Sequence, residues 1–85
     1  MIKFVDYEKE IFAICEANNV DVGVGVDMFI NNIVDFGRED DMYVYAGAEG
    51  VDYGALQAEY RKMRNHELVE SKMEFLDHCR KHHQG

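Results

Sequence analysis

"VDVGVGVD", residues 20–27, decides how the front half of this 85-residue chain is read. Valine alternates there with aspartate or glycine, which is the period of a half-buried strand. The segments on either side carry a different period. In "DYEKEIFAICEANN", residues 6–19, Tyr7, Ile11, Ile14 and Cys15 recur at helical spacing, with Glu8, Lys9, Glu10 and Glu16 on the opposite face. In "MFINNIVDF", residues 28–36, Phe29, Ile30, Ile33 and Val34 make one apolar stripe. Gly23 and Gly25 weaken a strand between them, and nothing nearby offers an antiparallel partner. The octet therefore reads as an extended connector over 19–26, its valines turned to the core and Asp21 and the glycines in water.

Helix ends follow from the flanking residues. Asp6 is the expected N-cap of a first helix over 6–18, and Asn18 and Asn19 suit its end because asparagine tolerates the left-handed conformation. Asp27 is the expected N-cap of the second helix, and Gly37 its stop. A phosphate cradle at "GVG" is disfavoured, since no Lys or Thr follows and Asp27 repels an anion at the helix start. The stretch "AICEANNVDVGVGVDMFINN", residues 13–32, resembles a helix-turn-helix DNA reader in outline. It departs from that motif in a turn about one residue too long, and in Asp21 and Asp27 standing where phosphate would lie. The geometry is kept and the DNA contact rejected.

Downstream, "GREDDMYVYAGAEGVDYG", residues 37–54, breaks the helical pattern. "REDD" is a polar turn, and "MYVYA", residues 42–46, has strand propensity between glycine-rich flanks. A strand there needs a partner from "IKFV" at 2–5, from the valine octet, or from another subunit. Tyr43, Tyr45 and Tyr53 cluster in this acidic region; tyrosine caps the edges of small cores and also anchors protein interfaces.

The last third, residues 52–85, is helical by propensity, with Asp52 as N-cap, yet its apolar face moves. Tyr53, Leu56, Tyr60 and Met63 share one stripe; Leu68, Val69, Met73, Phe75, Leu76 and Cys79 form another. At about 100° per residue the two lie on opposite sides. A break near Asn65, itself a good N-cap, resolves the conflict within one compact chain, whereas one long helix requires a dimer. The break is the preferred reading. The fold expected is a mainly α single domain over 1–85, of three to four helices, with at most a minor strand near 42–46 and a dimer through the C-terminal helices left open.

Charge narrows the function. The chain holds 17 acidic and nine basic residues, a formal net charge of −8. Residues 1–59 carry 13 acids against Lys3, Lys9 and Arg38, while residues 60–85 carry four acids against six bases, so the front is −10 and the rear +2. Such a front repels nucleic-acid backbones and acidic lipid and attracts cationic protein surfaces over roughly 8 to 10 Å. Neither an apolar run long enough to span a bilayer nor a secretory leader is visible, so the chain is expected to remain in the cytoplasm. Cys15 and Cys79 stand far apart at no metal-motif spacing and are read as reduced structural thiols.

Catalytic patterns are sparse. The one serine, Ser71, lies inside a helix, threonine is absent, and Cys79 and His78 face different sides of theirs. "HELVE", residues 66–70, matches the zinc-protease pattern HExxH only at His66 and Glu67, with Glu70 at the fifth position, and reads as a solvated helix face. No enzyme and no cofactor is expected. The function predicted is that of a small acidic inhibitor or adaptor that covers a basic, nucleic-acid-binding surface of a partner protein, as phage and mobile-element proteins of this size and charge do. The residues assigned to that contact are Asp35, Glu39, Asp40, Asp41, Tyr43, Tyr45, Glu49 and Asp52. Two alternatives are carried: an anionic-ligand or nucleotide sponge using Arg61, Lys62 and Arg64, and a C-terminal metal site using Glu74, His78 and His82 at four-residue spacing on one helix face.

Overall fold

The N-terminal residues enter the protein interior before the first helix begins. In the computed structural model, which describes residues 1–37 and 50–82, Ile2 and Phe4 are buried and Phe4–Tyr7 form a 3-10 turn. Four α-helices follow: α1 Glu8–Asn18, α2 Val22–Asp35, α3 Tyr53–Lys62 and α4 Asn65–His82. Among the described residues there is no strand, so the chain has the mainly α architecture expected. The strand expected at 42–46 lies outside the described residues. "IKFV" alternates as a strand would, but its alternate residues plug a helical core rather than pair with a neighbour.

The octet corrects the reading of the sequence. It is not an extended connector: α2 begins at Val22, inside it, and Asp21, not Asp27, is the N-cap, its carboxylate accepting the Val24 N–H at 3.0 Å. Asp27 sits a turn and a half into the helix, bonded to Lys72 across to α4 at 2.7 Å. The connector shrinks to Asn19, Val20 and Asp21. Asn19 adopts the left-handed conformation at φ 54°, and the Val20 N–H returns to the Cys15 carbonyl at 3.1 Å, a Schellman ending that turns the chain back on itself. Alternation misled because Val22, Val26, Phe29 and Ile33 also satisfy the helical period, and a capped helix start outweighs two glycines when tertiary packing favours it.

Gly25 shows what that packing is. It is buried where α2 crosses α1, and a β-carbon there would collide with the Cys15 sulfur and lie 3.5 Å from the Ile11 carbonyl oxygen. Glycine lets the two backbones approach, and α1 against α2 is the most extensive helix contact of the fold. Phe29 occupies the centre of the core. Phe4 meets it edge-on at 6.2 Å between ring centroids, Tyr7 lies at 5.3 Å and Tyr53 at 6.0 Å.

Asp6 is likewise not an N-cap: it lies within the 3-10 turn, its N–H bonded to the Lys3 carbonyl, and α1 starts two residues later without a side-chain cap. Asp52 does cap α3, accepting the Ala55 N–H at 3.1 Å, and Gly37 follows the end of α2 at φ 87°. The chain breaks between Lys62 and Asn65, the preferred of the two readings of the rotating stripe. Asn65 is the first helical residue of α4 rather than its cap; the Glu67 carboxylate accepts the Arg64 N–H at 2.8 Å, half of a capping box. The second stripe is rotated from its expected position. Ser71, Phe75 and Cys79 face the core, whereas Val69 and Met73 are more than half exposed.

Candidate functional site

The eight residues assigned to partner contact fall into two sets. Glu39, Asp40, Asp41, Tyr43, Tyr45 and Glu49 lie outside the described residues. Asp35 closes α2 and is half-buried; Asp52, exposed, is engaged in capping α3. Tyr53, from the same cluster of tyrosines, is a core residue, with the Asn32 side-chain amide donating to its hydroxyl at 3.1 Å.

Much of the described negative charge is already balanced. Glu59 pairs with the N-terminal ammonium at 3.1 Å, which holds its carboxyl below the ordinary range. Glu74 pairs with Lys3 at 3.6 Å, Asp27 with Lys72, and Asp77 with Arg80 and Lys81. Asp6, Glu10 and Asp52 are among the carboxylates left without an ion pair among the described residues. Burial pushes the Tyr7 phenol up, and the negative charges of Asp6 in the 3-10 turn, Glu10 in α1 and Asp52 at the α3 cap push it further, so each of these carboxylates stands within electrostatic reach of that ring. The ring contacts explain their meeting: Tyr7 and Tyr53 both pack on Phe29, which draws Asp52 to the side of the molecule that carries Asp6 and Glu10. No lysine or arginine pairs with these three carboxylates among the described residues. Asp6 and Glu10 escaped the sequence reading because one was assigned to a cap and the other to a solvated face.

The histidine cluster is only partly assembled. His78 faces Glu8 of α1 at 3.3 Å, and its ring lies 4.6 Å from that of His82. Glu74 turns instead to Lys3. Among the described residues no three His, Cys, Asp or Glu side chains converge as an ion would require. These residues line an open groove of about 560 Å³ with Lys3, Val5, Asp77 and Lys81.

Ser71 and the cysteines have structural employment. The Ser71 hydroxyl, buried at 1 % exposure, donates to the Ile2 carbonyl at 2.8 Å and accepts the Phe4 N–H at 3.2 Å, pinning the N-terminal residues to α4. Both cysteines are free thiols raised above their ordinary value by burial, and Cys15 donates to the Asp21 carbonyl at 3.5 Å. A buried hydroxyl held by two main-chain groups is not poised as a nucleophile.

No family model, curated protein or solved structure matches this chain. Among the described residues no helix is long and apolar enough to cross a membrane. The last assigned set is Arg61, Lys62 and Arg64. Arg61 and Arg64 border a cavity of about 200 Å³ at the elbow between α3 and α4, and Lys62, exposed, lies outside it.

Proposed function

We propose that this protein acts without chemistry of its own, by laying an acidic face on a basic surface of a partner protein that otherwise holds nucleic acid, as an inhibitor or adaptor. The observation that carries the reading is that Asp6, Glu10 and Asp52 all act electrostatically on Tyr7, with no lysine or arginine paired to them among the described residues, in a chain whose first 59 residues carry −10. A local excess of fixed negative charge speeds encounter with a cationic surface and disfavours anionic competitors. In sequence Asp52 follows Glu49 by three residues, and Glu39, Asp40 and Asp41 stand 11 to 13 residues before it. The helix pair α1 and α2 supports no opposite reading as a DNA-contacting unit: α2 contains no lysine or arginine.

The test is capture of partners from native lysate at low salt, with identification by mass spectrometry and competition by DNA or RNA. The reading expects a basic nucleic-acid-binding protein that nucleic acid displaces. Reversal of Asp6 and Glu10 to lysine, or of Asp40 and Asp41, weakens capture and flattens its salt dependence. Equal capture by the reversed variants removes the proposal.

A further inference from the structure

In a molecule of net charge −8, the basic residues would be expected to be spent on internal pairing. Around α4 they are: Lys3, Lys72, Arg80 and Lys81 each meet a carboxylate. At the elbow between α3 and α4 they are not. Arg61 and Arg64 take part in no ion pair among the described residues, and both residues are exposed.

Their setting is more than a charged helix end. A cation in the last turn of α3 opposes the helix macrodipole, which accounts for Arg61 and Lys62 being there. It does not account for a concavity. The break in the chain leaves a hollow of about 200 Å³ lined by the polar residues Arg61, Arg64 and Asn65 and by Tyr60, Met63 and Leu68. Met63 has an extended backbone conformation at the break, and its N–H is engaged by the Tyr60 carbonyl at 3.1 Å, so both ends of the hollow are tied to regular structure. The nearby Glu67 carboxylate is engaged with the Arg64 main-chain N–H, and that side chain is not part of the lining.

We infer that this elbow binds a small phosphate monoester, its phosphoryl group held between Arg61 and Arg64 and its flat organic group resting on Tyr60, Met63 and Leu68. Planar guanidinium groups match phosphoryl oxygens through paired N–H bonds, and two of them suit a dianion better than a carboxylate. A hollow of about 200 Å³ admits a single ring with its phosphate rather than a whole dinucleotide. The inference stands apart from the proposed function, since the elbow residues are not those of the acidic face.

Titration of the isotope-labelled full-length protein, followed by amide NMR shifts at constant ionic strength, tests it with phenyl phosphate, inorganic phosphate, phenol and chloride. Phenyl phosphate should give saturable shifts centred on residues 60–68 and bind several-fold more tightly than inorganic phosphate, while phenol and chloride give none. Replacement of both Arg61→Gln and Arg64→Gln should weaken binding at least tenfold with an unchanged circular dichroism spectrum, and Lys62→Gln should leave it within twofold. Loss of binding equally severe in Lys62→Gln, or equal affinity for phenyl phosphate and inorganic phosphate, would reduce the elbow to a general basic patch and overturn the inference. Absence of saturable shifts overturns it outright.

Discussion

Replacing Ser71 with alanine deprives the Phe4 N–H of its acceptor and the Ile2 carbonyl of its donor while both stay buried. Leaving such groups unpaired costs about 1–3 kcal/mol. Chemical denaturation should register that loss, and amide exchange at Phe4 should accelerate with it. Gly25→Ala is predicted to cost about 1–3 kcal/mol because the new methyl meets the Cys15 sulfur at the α1–α2 crossing. Adding Cys15→Ala should return most of the loss, and a double-mutant cycle measures the coupling. Both thiols have values raised by burial above the ordinary 9.0. A raised thiol keeps its contribution to stability at pH values below that range and loses it as pH rises through the folded value, because the unfolded chain ionises first. The denaturation midpoint should accordingly hold through neutral pH and fall above about pH 9, more steeply than in a variant with both cysteines replaced by alanine. These single-residue roles were not legible in the sequence: a helical serine and a glycine between valines show their work only when a neighbouring segment is brought against them.

Helix boundaries divide into those written locally and those set by contact. Asp52 and Gly37 marked the start of α3 and the end of α2 because a carboxylate before a helix and a glycine after one act on adjacent main-chain groups. The octet failed as a local reading, and the competition between its two aspartates is measurable. Asp21→Ala should cost about 0.5–2 kcal/mol as loss of a cap. Asp27→Ala, which severs only a partly exposed pair with Lys72, should cost at most about 1 kcal/mol. The opposite order would place the helix start at Asp27 after all. At the other end of α2, the Gln57 side-chain amide donates to the carbonyls of Ile33, Val34 and Phe36 at 3.1, 3.3 and 3.0 Å. A residue of α3 thus terminates α2, 21 to 24 positions away in sequence. Gln57→Ala should cost about 1 kcal/mol and speed exchange in the last turn of α2.

At the scale of the whole molecule, charge and packing follow different rules. Like charges gathered about Tyr7 oppose folding at low ionic strength. The melting temperature should therefore rise as salt is raised from a few millimolar to roughly 0.15 M, where the screening length falls to about 8 Å. Charge reversal at Asp6 and Glu10 should abolish most of that rise. The helical class and the acidic excess of the front were determined by the sequence alone, since they depend on composition and short-range periodicity, while the break before Asn65 was favoured by the rotating apolar stripe and decided by the structure. Tertiary structure alone decided that Ile2 and Phe4 join the core, that the octet winds into a helix, which carboxylates act on Tyr7 and which arginines stay without an ion pair among the described residues. Those outcomes depend on contacts between segments far apart in the chain, where the gain from burying Phe29 and closing α1 on α2 outweighs the local preferences of the residues involved.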